Sequence, residues 1–243
     1  MRNENLSYEA DRLTMHGRLF WDEKPTNRRP GVLVFPEGLG INDHTYEFAE
    51  RLAEQGYVAL ACDFYGDAYT SKTGDLDEET IRRLGELKGD IAKVRIRAKG
   101  AFDALTARPE VNKGEVAAIG YCFGGTTALE LACAGMPLAA AVGFHCGLDG
   151  ITVSDAKNIS GRILVCLGSD DPWVPSESRH KFEAYMSAAN VNWQVNLYGG
   201  VVHSFTNKRA DKLGNSKRAR YDEHADKDSW SAMLRLFNDV FRS

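Results

Sequence analysis

The stretch Glu115–Gly125, EVAAIGYCFGG, constrains this chain more than any other. An apolar run ends in Gly-x-Cys-x-Gly-Gly, and a helical pattern follows from Thr126 through Ala134. A run of that length bounded by glycine predicts a buried strand, with TTALELACA as a helix packed on it. The turn between them has to be sharp, with Cys122 at its apex. Gly120 and Gly124 flank that apex, where side chains would hold strand and helix apart. The pattern is a nucleophile elbow with cysteine in the place of serine. Such a cysteine sits at a helix N-terminus, whose dipole favours the thiolate. The Phe123 N–H points at an oxyanion forming on an attacked acyl carbon. A buried structural cysteine is the alternative for Cys122 taken alone, so the remaining chain has to decide.

That chain reads as strands alternating with helices. Leu6–Ala10 and Thr14–Trp21 predict an antiparallel pair around Asp11-Arg12, and Lys24–Pro30 a polar loop. The all-apolar Gly31–Phe35 predicts a central parallel strand. A helix over Asp43–Gln55 puts Phe48, Ala49 and Leu52 on one face and stops at Gly56. Tyr57–Phe64 is the next strand, and Gly66–Asp77 a surface excursion. Glu78–Arg108 is helical, interrupted near Gly85 and Gly89, and ends before Pro109. Ala139–Phe144, Arg162–Leu167 and Trp193–Tyr198 are further strands. Ser176–Ala189 is a helix capped by Ser176, with Glu177 in its first turn. After the charged stretch Lys208–Asp228, an amphipathic helix over Ser229–Phe241 turns Trp230, Met233, Leu234, Phe237 and Val240 inward. The pattern predicts one domain over residues 1–243, with a doubly wound, mainly parallel sheet and helices on both faces.

Composition removes several function classes. A net charge of −4 offers no basic field for nucleic acid or an anionic membrane. No apolar run approaches the roughly 18 residues a bilayer span needs, and MRNENLSYEAD lacks the apolar core of a signal peptide. Cys62, Cys122, Cys133, Cys146 and Cys166 are odd in number, form no CxxC pair and lie mostly in apolar runs. Reduced thiols in a cytoplasmic protein fit that pattern, and a zinc site does not.

In a sheet of this kind, reactive groups belong at the carboxyl ends of strands. Four strands end in able residues: Glu37-Gly38, Cys122, Asp170-Asp171, and the last leading into His203. Nucleophile, acid, histidine is the chain order of the α/β-hydrolases. Asp170 competes with Asp171, but the D-x-x-V-P spacing favours Asp171. His145 also ends a strand and rivals His203, yet it precedes Asp171 and breaks the order. The joint occurrence favours catalysis over any single motif.

GYCFGG, DDPWVP, VVHSF and especially FPEGLGIN resemble the dienelactone hydrolase family of α/β-hydrolases, and the likeness spans nearly the whole chain. It implies an α/β-hydrolase fold with Cys122 as nucleophile, His203 as general base and acid, and Asp171 as the histidine's orienter. Glu37 is then the carboxylate near the resting thiol, the Gly38 and Phe123 N–H groups form the oxyanion hole, and Asn42 is structural. The family holds a substrate carboxylate with arginines. Here Arg82 or Arg83 could serve as the first, while Thr206-Asn207-Lys208-Arg209 leaves Lys208 as an imperfect second.

The leading expectation is a cytoplasmic hydrolase of lactones or small carboxylic esters, of carboxymethylenebutenolidase type, working through an acyl-thioenzyme without cofactor or metal. Its partner is a small-molecule substrate, with no nucleic acid or membrane, and the protein is a monomer or homodimer. The competing readings are a broad carboxylesterase or thioesterase, and a non-catalytic redox sensor using Cys122 on the same fold.

Overall fold

The computed structural model describes residues 1–24, 27–213 and 216–241. Eight strands form one sheet in the order β1-β2-β4-β3-β5-β6-β7-β8. They are β1 (Arg2–Ala10), β2 (Leu13–Trp21), β3 (Arg29–Phe35), β4 (Val58–Ala61), β5 (Val111–Tyr121), β6 (Ala140–Phe144), β7 (Arg162–Gly168) and β8 (Trp193–Tyr198). β1 and β2 form an antiparallel hairpin, β2 joins β4 antiparallel, and every other pairing is parallel. Asp11 and Arg12 turn the hairpin with φ of 52° and 61°, the left-handed geometry that matches strand twist.

The apolar runs are buried on both sides, as parallel strands require. Leu33, Phe35, Val116 and Ala118 face one core. Val32, Val34, Ala117, Ile119 and Tyr121 alternate with them into a second core on the opposite face. Helices α3 (Ile91–Thr106), α4 (Phe123–Cys133) and α6 (Ser176–Ala188) cover the first core through Phe102, Leu129 and Phe182. Helices α1 (Asp43–Glu54) and α7 (Glu223–Val240) cover the second through Phe48, Leu52, Met233 and Phe237. A sheet screened in this way is a doubly wound α/β fold.

Several boundaries differ from expectation. Gly85 lies within α2 (Glu78–Lys88), and only Gly89-Asp90 interrupts the helical segment. Asp90 caps the next helix by accepting from the Lys93 N–H, so the break carries its own start signal. Pro175, not Ser176, occupies the N-cap of α6, and no side chain caps it. α7 begins at Glu223, six residues before the expected start, because the Asp222 side chain accepts from the Ala225 N–H. Charged residues on its outer face hide that first turn from an apolar count. The short β4 stops at Ala61, where Asp63 takes over by accepting from the N–H groups of Tyr65, Gly66 and Ala68. The polar loop expected over Lys24–Pro30 includes residues 25 and 26, which lie outside the described residues.

β3 sits between β4 and β5. The chain leaves β3 in one direction and returns on its other side, which opens a crevice at the carboxyl ends of β3 and β5. Because Phe35 pairs with Gly120, Glu37 and Gly38 emerge beside Cys122.

Candidate active site

Close backbone approach explains the glycines of GYCFGG. A Cβ on Gly120 would lie 2.1 Å from the Gly124 carbonyl oxygen, and one on Gly124 would lie 2.3 Å from the carbonyl oxygens of Phe35 and Pro36. Both are impossible contacts, so strand, turn and β3 meet only with glycine there. Cys122 turns the corner at φ 53°, backbone strain of about 1–3 kcal/mol of the kind found at functional sites. The helix starts at Phe123 rather than Thr126. The Phe123 N–H therefore belongs to the first turn, where a helix has no acceptor of its own. Cys122 is half-buried, whereas Cys62, Cys133, Cys146 and Cys166 are buried. Burial pushes the thiols of Cys133 and Cys166 up to about 12.

His203 follows β8, and its Nδ1 lies 2.6 Å from Asp171 Oδ2. Asp171 is itself fixed, since the Trp173 N–H donates to Oδ1 at 2.9 Å. Asp170 is exposed and accepts from Ser169 Oγ instead. With Nδ1 engaged by Asp171, the other ring nitrogen is left to serve Cys122, whose side chain acts on the charge of His203. Burial would depress the imidazole. The Cys122 charge and the bonds to Asp171 and Cys122 outweigh it and push His203 up to about 10. The three expected residues are joined in one chain of contacts.

Glu37 is 4% exposed. Its hydrogen bonds go to the His203 loop: Ser204 Oγ donates to Oε1 at 3.1 Å and Asn207 Nδ2 to Oε2 at 2.7 Å. The Glu37 carbonyl accepts from the Gly40 N–H at 3.0 Å, which fixes the 37–38 peptide plane and turns the Gly38 N–H the opposite way. Tyr65 Oη donates to the Gly38 carbonyl at 2.8 Å. Asn42 caps α1, accepting from the N–H groups of His44 and Thr45. Beside the thiol lies an apolar patch of Phe64, Tyr65, Leu87, Val94 and Phe123, with Tyr69 and Leu84 packed on it.

The basic candidates separate by orientation. Arg82 is exposed and engaged with Glu79 and Glu86 on its own helix. Arg83, one residue on, bonds Glu79 and stacks over Tyr69 at 4.3 Å, next to the apolar patch. Lys208 is exposed and reaches Glu47 on α1 at 3.5 Å, which sets it aside from Cys122.

Three sets of contacts escaped the sequence. Trp173 meets the His203 ring edge-on at 4.7 Å, and Arg218 lies over Trp173 at 5.3 Å. Ser204 and Asn207 hold Glu37. His145 is buried and touches both Cys122 and the His203 loop, but no carboxylate is bonded to it. The polar residues at one, three and four positions past His203 in HSFTN were the available signal for the loop's contacts. Nothing local marked Trp173. Among the described residues no cluster of three or more His, Cys, Asp or Glu is placed to hold a metal.

Comparison with known proteins matches residues 15–241 to the model of the dienelactone hydrolase family. The crystal structure of the dienelactone hydrolase-like promiscuous phosphotriesterase P91, from metagenomic libraries, is 43% identical with a TM-score of 0.93 and covers 99% of this chain and 98% of that one. A Bradyrhizobium protein named "Probable 2-oxo-3-(5-oxofuran-2-ylidene)propanoate lactonase" is 29% identical, over 74% of this chain and 75% of that protein. The hydrolase tropI of Talaromyces stipitatus is 28% identical, over 72% of this chain and 70% of that protein. An elbow with cysteine at its apex, the carboxylate after β3 and a match along nearly the whole chain agree: this protein belongs to the dienelactone hydrolase family and is a hydrolase.

Proposed function

We propose that the protein hydrolyses lactones or small carboxylic esters through an acyl-thioenzyme on Cys122. The observation that carries this reading is the Cys122–His203–Asp171 chain at the carboxyl edge of the sheet, with its 2.6 Å imidazole–carboxylate contact. The Cys122 thiolate attacks the acyl carbon, and the oxyanion is received by the Phe123 and Gly38 N–H groups. His203 then gives its proton to the departing alkoxide, which in a lactone is part of the acyl group and so stays tethered to the enzyme until the second step. In that step His203 takes a proton from water, hydroxide adds to the thioester, and the carboxylic acid leaves as thiolate re-forms. Asp171 keeps the imidazole oriented and stabilises its charged form.

The lactonase name of the Bradyrhizobium relative supports a lactone as substrate. The apolar patch supports an acyl or alcohol portion without much charge of its own. A neutral phosphotriester is the second substrate class worth assaying, because P91 is named a promiscuous phosphotriesterase. A redox-sensing role for Cys122 leaves the Asp171–His203 pair without a purpose. Five free cysteines support the cytoplasm as its location, and no described helix is long and apolar enough to cross a membrane. The test is turnover of a p-nitrophenyl ester, a neutral lactone and an anionic lactone by purified protein without added cofactor. Absence of turnover on all three refutes the reading.

Substrate charge yields a separate expectation. Arg83→Ala should lower kcat/KM on an anionic lactone about fivefold, the scale of a partly exposed ion pair, and leave a neutral ester unchanged. Arg82→Ala should change neither. The Arg83 effect should shrink with added salt. Equal losses on both substrates would remove Arg83 from substrate recognition.

We further propose that Glu37 restrains Cys122 between turnovers. It leaves β3 directly beside the elbow, and an ionised carboxylate near the thiol opposes thiolate formation. In the described geometry Ser204 and Asn207 hold it on the His203 loop, which leaves the thiol to His203. Movement of Glu37 between loop and thiol would gate reactivity. Glu37→Gln should raise the rate at which iodoacetamide alkylates Cys122 in free enzyme while lowering turnover. Unchanged or slower alkylation would leave Glu37 as a loop tether only.

A further inference from the structure

His145 is a fully buried imidazole for which the proposed reaction has no use. It follows β6 with no solvent exposure and a φ of 38°, a left-handed conformation that a residue other than glycine adopts at a cost of about 1–3 kcal/mol. Such a position is held by histidine where its ring makes contacts that glycine could not. Those contacts are specific. The Cys122 N–H donates to His145 Nδ1 at 3.1 Å, a bond shared with the Phe144 carbonyl at 2.9 Å. A ring nitrogen that accepts carries no proton, so the single ring proton of His145 sits on Nε2. From there it is donated to Thr206 Oγ1 at 2.9 Å. The ring also meets the His203 ring edge-on at 4.9 Å and Phe205 at 5.1 Å. Burial, with the charges of His203 and His44 nearby, holds His145 well below its ordinary value. It therefore stays neutral, and Nδ1 stays free to accept.

One rigid ring thus spans from the amide of Cys122 to the residue three positions past His203. The elbow after β5 and the loop after β8 are separated in the sheet by β6 and β7. The sheet's backbone ladder fixes the strand ends, and side chains that reach across fix the segments beyond them. We propose that His145 is a positioning residue for the reaction. With Thr206 as its far anchor, it braces the elbow against the His203 loop and keeps the Cys122 thiol within proton-transfer reach of the His203 imidazole. This rests on the reading of Cys122 and His203 as nucleophile and base. Because its neutral form alone fits, it also keeps a second positive charge away from protonated His203.

The brace is tested from both ends. His145→Ala and Thr206→Val should each lower kcat about thirtyfold to a hundredfold, the scale of a misplacement near 1 Å, with KM within about twofold. Each should also move the pH midpoint for iodoacetamide alkylation of Cys122 upward, because a loosened imidazole stabilises thiolate less. The double variant should be no worse than His145→Ala, since both changes break the same link. His145→Asn, which keeps an acceptor where Nδ1 lies, should recover part of the loss. Rates are expressed per titrated Cys122, so a poorly folding His145→Ala sample does not mimic the effect, and Thr206→Val supplies the same readout from a milder change. Lower thermal stability with unchanged kcat per active site and an unchanged alkylation midpoint would reduce His145 to a structural part and overturn the proposal. Additive losses in the double variant would overturn it too. An active Cys122→Ala enzyme would instead sink the underlying reading, which separates the two failures.

Discussion

Cys122→Ala is expected to abolish hydrolysis while the protein remains folded. Loss of a covalent nucleophile costs about four to six orders of magnitude in kcat where a triad acts as a unit. The fold should not suffer, because alanine and cysteine place the same Cβ at the φ of 53° that the elbow imposes. No other thiol can substitute: the remaining four cysteines are buried, and burial disfavours their thiolates. Alanine at Cys133, Cys146 or Cys166 should accordingly leave activity in place. The check is kcat/KM on a p-nitrophenyl ester together with a thermal midpoint. More than about a tenth of the wild-type rate in Cys122→Ala would exclude covalent catalysis at this residue.

His203→Ala should be nearly as damaging, with a loss of about four orders of magnitude or more, and Asp171→Asn somewhat less so. In the proposed reaction His203 performs two proton transfers, and it is the imidazole bonded to a carboxylate. Asp171 only orients the ring and stabilises its charge, through the 2.6 Å contact to Nδ1. Burial would depress His203, but its interactions with the Cys122 and Asp171 side chains outweigh that and lift it to about 10. The His203 imidazolium is therefore kept across neutral pH and is lost as pH rises through that value. In Asp171→Asn one support is gone, and His203 should titrate lower. His145→Ala should be milder than His203→Ala, as befits a brace. A dead His145 variant beside a live His203 variant would exchange their roles.

The elbow was legible from the chain alone because its cause is local. Gly120 and Gly124 exist to avoid backbone contacts a few residues away or on the neighbouring strand, and no other residue type fits. The alternating cores were equally plain, since apolar runs of parallel strands have no polar face to confuse the count. Asp171 could be chosen over Asp170 from spacing, and it is the one that meets His203. What escaped depends on orientation or on distant partners. Arg82 and Arg83 are indistinguishable in sequence, yet the rotation of about 100° between adjacent helix positions sends the first to Glu86 and the second over Tyr69. Ser176 looked like a cap until Pro175 took the position. Glu37 was expected near the thiol, and its described bonds run to residues 204 and 207, more than 160 positions away. The same holds for His145, whose bond to Thr206 joins residues 61 apart. Such links appear in no local pattern.

The central claim is a covalent acyl-enzyme on Cys122. Its most direct measurement is intact-protein mass spectrometry of a rapidly quenched reaction with a slowly deacylating ester, followed by peptide mapping. The account predicts a mass increase equal to one acyl group, located on the peptide carrying Cys122, absent in Cys122→Ala and accumulating in His203→Ala only at a much reduced rate. Turnover without any acyl adduct, or an adduct on a different residue at a kinetically competent rate, would contradict it.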